Sequence, residues 1–329
     1  QSLDQAVAEL KSPLEALEGA SRGLDACLQR LVEIQAHFDA LDKPAADSEV
    51  RWFERRGRGI AIHTTPLDVS SLFSSFCELV DAAWIFTSAT LSVDGRFDHF
   101  TRALGLQDAD TLKLDSPFDY PNNALMWLPE DLPEPREASF VPRLLEQVRP
   151  VLEASRGRAF MLFTSHRKLS QAAELLDGEI NHPLFVQGEM PRSMLLEAFR
   201  ESGDGILLGS ASFWGGVDVM GEALSLVIID KLPFAPPNDP VMVARSNQLR
   251  QHGGNPFMEL FLPQAVIALK QGAGRLIRDV NDRGVLVICD RRLISKGYGS
   301  VFLESLPPMR QTPDRKQVVE FFENESTGH

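Results

Sequence analysis

The chain has 329 residues, 43% hydrophobic and 24% charged, an ordinary globular composition whose length suggests two compact units. Its 33 Lys+Arg against 46 Asp+Glu leave a net charge of −13, so any nucleic-acid site must be a local basic groove and not a global field. Three cysteines, Cys27, Cys77 and Cys289, are too few and too widely spaced for a disulfide framework or a zinc or iron–sulfur ligand set. They read as buried thiols in a reducing cytoplasm. No apolar run approaches the roughly 18–20 residues of a membrane span, and no signal peptide opens the chain. Gln1 enters directly into helical periodicity, so the chain reads as a piece of something longer.

In chain order, apolar residues from Leu3 to Leu17 and from Leu24 to Leu41 recur at three- and four-residue steps, which predicts amphipathic helices. Pro13 and the Gly19/Gly23 pair interrupt the pattern, so two or three helices are expected, with a linker at 43–49. Residues 51–58 are basic with two aromatics. A β-branched run at 60–65, a helix capped by Asp68 or Ser70, and a buried-strand run at 84–87 follow as one strand–helix–strand unit, with 60–65 expected to pair beside 84–87. Residues 93–155 are Pro-rich and irregular, with one strand at 124–128 and one helix at 140–153. From 158 the alternation becomes regular. Strands are predicted at 159–164, 184–187, 206–209, 226–230 and 285–290, and helices at 166–176, 191–200, 239–251 and 257–271. Apolar strands alternating with helices argue for a parallel sheet covered on both faces.

Ligands of open parallel sheets bind at the carboxyl ends of the strands. The sequence there reads Thr87-Ser88-Ala89-Thr90-Leu91 after 84–86, Phe163-Thr164-Ser165-His166 after 159–162, and Gly209-Ser210-Ala211-Ser212-Phe213-Trp214-Gly215-Gly216-Val217-Asp218 after 206–208. Small hydroxyl or glycine-rich loops of this kind let a phosphate approach backbone N–H groups, although each alone is equally a turn or helix cap. A fourth segment, Gln271-Gly272-Ala273-Gly274-Arg275-Leu276-Ile277-Arg278-Asp279, ends a helical run. If helical, it projects Arg275 and Arg278 from one side, beside glycines that leave the surface bare. A solvated basic turn paired with Asp279 or Asp282 is the plain alternative.

Taken in order, these four segments resemble motor motifs III, IV, V and VI of superfamily 2 helicases, and more narrowly the DinG/YoaA branch of the XPD-like helicases. The resemblance covers about residues 50–305, including Lys231-Leu232-Pro233-Phe234 and Asp290-Arg291-Arg292. No G-x-x-x-x-G-K-[ST] loop, Asp-Glu-Ala-His box or four-cysteine set occurs; in this family all three precede the TSATL segment. The resemblance therefore implies an α/β architecture in four parts. A helical arch-like segment would occupy 1–49 and a remnant of the first RecA-like domain 50–93. The second RecA-like motor domain, a parallel sheet, would span 94–310, with a tail at 311–329.

The resemblance further implies the C-terminal motor portion of an ATP-dependent DNA helicase of repair or replication, working 5′ to 3′ in the cytoplasm and inactive as an isolated piece. ATP and Mg2+ would be used by the full-length protein, and an iron–sulfur cluster would lie in its N-terminal part and not here. Arg275 and Arg278 would serve as arginine fingers, with Gln271 ordering the same interface. Gly216, Asp218, Thr87, Ser88 and Thr90 would couple nucleotide state to DNA. Thr164, Ser165, Phe213 and Trp214 would contact single-stranded or forked DNA by phosphate bonding and stacking. Arg55 and Arg56 would track the backbone, or else neutralise the acidic helices before them. A rival reading is a protein-docking module without catalysis. In the tail, Val318, Val319, Phe321 and Phe322 would either fold back on the domain or anchor a replisome or single-strand-binding component.

Overall fold

The structure, a computed structural model, describes residues 3–80, 82–210, 213 and 224–326. Two compact units emerge, Gln1–Asp68 with Pro240–Arg245, and Val69–Asp239 with Ser246–His329.

The first unit opens with helices Leu3–Glu15 and Arg22–Asp42, the two-helix outcome of the periodicity. Gly19, at φ +80°, turns the chain between them, and the Ser21 side chain caps the second helix by accepting from Leu24 N at 3.3 Å. Strands β1 (Glu49–Arg56) and β2 (Gly59–Pro66) form an antiparallel hairpin, in register from Glu49↔Pro66 to Arg56↔Gly59. This corrects the expected partnership of 60–65 with 84–87. Gly57, at φ +60°, permits a two-residue turn, and closing so short a loop costs far less entropy than bringing two distant runs together. The basic run 51–56 is therefore strand, with Trp52 stacked on His63 at 4.0 Å.

The second unit is built on one seven-stranded sheet. Its strands are β3 (Ala124–Trp127), β4 (Ala159–Leu162), β5 (Leu184–Val186), β6 (Ile206–Gly209), β7 (Leu226–Ile229), β8 (Gly284–Ile288) and β9 (Arg310–Thr312). They lie in the order β5-β6-β4-β7-β8-β3-β9, every pair parallel. Strand parity assigns the two faces. Phe160, Leu162, Val227, Ile229, Leu286 and Ile288 face one core with helices Arg192–Ser202, Leu262–Ala273 and Gly299–Ser305. Ala159, Met161, Ile228 and Val287 face the other with helices Phe140–Ala154 and His166–Leu176. Strands buried on both faces explain why these runs are continuously apolar instead of alternating.

Two further expectations are corrected in this unit. Residues 84–87 are no strand. They have no ladder partner among the described residues, Trp84 and Ile85 are 41% and 84% exposed, and Trp84 and Phe86 lean on Phe76, Phe73 and Phe100. The helix Ser70–Leu79 is entered from Val69 without a side-chain cap. The residues after 310 are part of the domain itself. β9 pairs with β3, Trp127 Nε1 donates to Pro313 O at 3.2 Å, and helix Arg315–Ser326 covers the second face. Its Val318, Phe321 and Phe322 are 0%, 4% and 2% exposed, and Val319 is half-buried, so the aromatic pair is not available as an anchor for a partner. Burying a large apolar side chain is worth about 1.5–3 kcal/mol, which decides the choice between the two readings of the tail.

Candidate functional site

The second unit carries three groups of polar residues, one at a helix end and two at strand ends. One surrounds the end of the helix Leu262–Ala273. That helix stops at Ala273, so Arg275 and Arg278 lie in the turn beyond it and the helical i, i+3 argument does not apply. The intervening Leu276 and Ile277 are buried in the core, and they fix the two arginines on the turn. Arg275 is buried, and both desolvation and neighbouring Arg192 make its guanidinium easier to deprotonate than usual. Arg192, which opens its own helix and lies over the Phe213 ring at 5.3 Å, carried no signal in the sequence beyond being a helix-start cation. Arg278 is half-buried, its N–H donating to Asp282 Oδ2 at 2.7 Å; burial lowers its affinity for the proton and Asp282 opposes this. Gln271 is exposed on the last turn. Lys270 Nζ donates to Ser92 O at 2.8 Å, tying the segment after TSATL to this same helix. Within TSATL, Thr87 and Ser88 are exposed and Thr90 is half-buried; Ser88 Oγ lies 3.1 Å from Thr90 Oγ1 and accepts from Thr90 N at 3.2 Å. The Ser92–Lys270 bond thus brings the residue after TSATL to the helix that ends at Ala273.

The second group joins the ends of β4, β7 and β8. Asp230, 1% exposed, accepts from Thr164 N at 3.0 Å and Lys231 N at 2.8 Å through Oδ1, and from Thr164 Oγ1 at 3.3 Å through Oδ2. Burial raises its carboxyl from 3.8 to about 6, against the opposing pull of Lys168 and Lys231 and these amide bonds. Asp290, 2% exposed, accepts from Leu232 N at 2.8 Å and from Arg292 N at 3.0 Å, with Arg292 Nη2 at 2.6 Å from Oδ2. Arg292 in turn lies over the Phe234 ring at 5.6 Å. Asp230 drew no attention in the sequence because a single Asp after a strand is indistinguishable from a turn residue until its partners are known.

At the end of β6, Ser210 N donates to Gln187 Oε1 at 2.6 Å, and Ser210 Oγ lies 3.2 Å from His166 Nε2. A Cβ on Gly209 would meet the Phe213 side chain at 2.8 Å, so glycine is needed for this loop to turn back on the strand. Phe213 is buried in the core, which leaves no exposed face for base stacking and corrects that expectation. Ser165 starts the helix His166–Leu176 without capping it. Trp214, Gly216 and Asp218 lie outside the described residues. Arg55 Nε donates to Gly57 O at 3.4 Å within the hairpin, and Arg56 pairs through its backbone with Gly59. Among the described residues, no group of three or more His, Cys, Asp or Glu is placed to hold a metal ion, and no helix is long and apolar enough to cross a membrane.

Residues 148–309 match the helicase C-terminal domain family. The chain is 42% identical over 322 residues to the ATP-dependent DNA helicase YoaA of Haemophilus influenzae, covering 98% of this chain and 50% of that protein. It is 44% identical over 303 residues to YoaA of Escherichia coli (92% and 48%), and 36% over 280 residues to the ATP-dependent helicase DinG of Mycobacterium tuberculosis (82% and 42%). The chain spans about half the length of the curated relatives it matches. Among solved structures, an XPD helicase superposes with a TM-score of 0.60 at 17% identity, covering 92% of this chain and 56% of that one, and an apo XPD with 0.60 at 16% (89% and 59%). Those two likenesses speak to the fold, a RecA-like α/β sheet domain. With the ordered motifs and the parallel sheet of this unit, the sequence relationships establish that this chain belongs with the DinG/YoaA helicases, as the part bearing their helicase C-terminal domain.

Proposed function

We propose that this chain is the C-terminal motor portion of an ATP-dependent DNA helicase, with Arg275 and Arg278 presented to the phosphates of an ATP held chiefly by the other motor domain. The observation that carries the reading is the turn after Ala273. Buried Leu276 and Ile277 hold it in place, two arginines flank them, a third cation, Arg192, lies near Arg275, and Ser92, the residue after TSATL, is tethered to the same helix through Lys270. Cations gathered in a partly desolvated place raise one another's cost, and a polyphosphate relieves that cost, most of all as charge develops on the transferring group. Guanidinium groups suit the task because they stay charged and bond phosphate oxygens bidentately. Nucleotide-bound Mg2+ would draw its protein ligands from the other motor domain. An iron–sulfur cluster would likewise be held elsewhere.

In this proposal residues 50–93 complete the first motor domain, whose remaining strands would cover exposed Trp84 and Ile85. Thr164, Ser165 and the loops beside them face single-stranded DNA, tracked in the 5′ to 3′ sense. A replication or repair partner at the C-terminal helix would read its exposed charged side, Arg315, Lys316, Glu320 and Glu323, instead of the buried aromatics. The test uses the full-length protein. Arg278→Ala is expected to lower DNA-stimulated ATP turnover by about 10³-fold or more, the range seen for arginine fingers, with nucleotide affinity changed only a few fold. The isolated chain is expected to hydrolyse no ATP above background. Full turnover by the variant refutes the finger assignment, and turnover by the isolated chain refutes the division of parts.

A further inference from the structure

We infer that Asp230 is a positioning residue that sets the DNA-contacting loop after β4, with Asp290 as its counterpart one strand over. The inference rests on the reading of the Thr164–Ser165 loop as a single-strand contact. β4, β7 and β8 are adjacent in the sheet, so their C-terminal loops emerge side by side. Asp230, the first residue after β7, reaches across to the β4 loop with both carboxylate oxygens, binding the amide and the hydroxyl of Thr164. The same Oδ1 accepts from Lys231 N, and Asp290, just past β8, accepts from the next residue but one, Leu232 N. Two carboxylates therefore hold three loops in one fixed arrangement.

The bond from Thr164 Oγ1 also changes what that residue can do. Its hydroxyl is already donated to Asp230, so the group left to meet a phosphate is the neighbouring Ser165, together with the first turn of the helix it starts. The strand register adds to the clamp, since Asp230 N donates to Leu162 O at 3.1 Å and fixes the carboxylate's origin relative to β4. Lys168, on that same helix, is near enough to favour the Asp230 anion, but its Nζ donates to Pro135 O and lies over the Phe140 ring at 4.2 Å. Asp230 is thus held mainly by hydrogen bonds to loop backbone. A carboxylate engaged in this way acts on the shape of the loop and touches neither nucleotide nor DNA.

The experiment measures ATP turnover of the full-length protein against oligothymidylate concentration. Asp230→Ala is expected to raise the half-saturating DNA concentration about tenfold or more, a rise that exceeds any fall in turnover at saturating DNA, because buried amides lose their acceptor. Asp230→Asn is expected to restore it to within about threefold, since the amide oxygen still accepts from both backbone N–H groups and its nitrogen can donate to Thr164 Oγ1. If the alanine variant does not fold, Asp230→Ser, too short to span both amides, takes its place with the same expectation. An unchanged half-saturating concentration overturns the inference, as does a loss confined to turnover at saturation or an asparagine variant no better than alanine. Ser165→Ala separates the two levels. If it leaves DNA affinity intact, the DNA reading of the loop fails and the clamp's purpose with it; if it weakens binding while Asp230→Ala does not, only the clamp fails.

Discussion

Asp230 makes a prediction about stability that is independent of DNA. Its carboxyl titrates at about 6 in the folded protein against the ordinary 3.8, so the native state keeps the proton to a higher pH than the unfolded chain does. Stability from this group is therefore full below about pH 4 and is lost as pH rises through the interval to about 6. That interval corresponds to about 3 kcal/mol in all, and about 1.5 kcal/mol of it falls between about pH 5 and 8. Asp230→Asn has no proton to lose and retains acceptors for Thr164 N and Lys231 N. Urea unfolding of both proteins at about pH 5 and 8 should thus show the wild type losing about 1.5 kcal/mol more than the variant over that span. The charged and titratable groups nearby, Lys168, Lys231, Cys289 and Asp290, are common to both proteins, so the double difference isolates Asp230. A flat difference, or one of opposite sign, would show that the hydrogen bonds outweigh burial and would refute the reasoning.

Two further expectations concern the ends of the domain. Phe322→Ala should cost about 3–5 kcal/mol in chemical denaturation, as for other buried aromatics; a loss below about 1 kcal/mol would mean the C-terminal helix is dispensable to the core. In native hydrogen exchange, amides of 82–90 should open before those of β4, β6, β7 and β8, because the former lack ladder partners among the described residues while the latter pair on both sides. Equal protection in the two sets would contradict the placement of that run.

What the sequence determined by itself was the class of fold and the order of the motif-bearing loops. Apolar runs such as 159–162 and 206–209 carry their own strand signal, because a strand buried on both faces must be apolar throughout. Positions 164–166 follow such a run and 271–278 end a helix, and the residue types there help carry the family resemblance. The hairpin was also legible in principle. A two-residue turn with Gly57 between runs rich in aromatic and β-branched residues is a local signal, obscured by the arginines of 51–58. Tertiary structure alone decided the rest. Whether Trp84–Phe86 lies in a sheet depends on neighbouring strands, which its own residues do not specify. Whether Phe321 and Phe322 turn inward depends on an open sheet edge at β3 and an uncovered face beside it. Arg192 meets Arg275, and Asp230 meets Thr164, across 83 and 66 residues of chain. Such pairings leave no periodicity in the sequence, because they follow from strand order, and strand order is set by how the whole sheet packs against its helices.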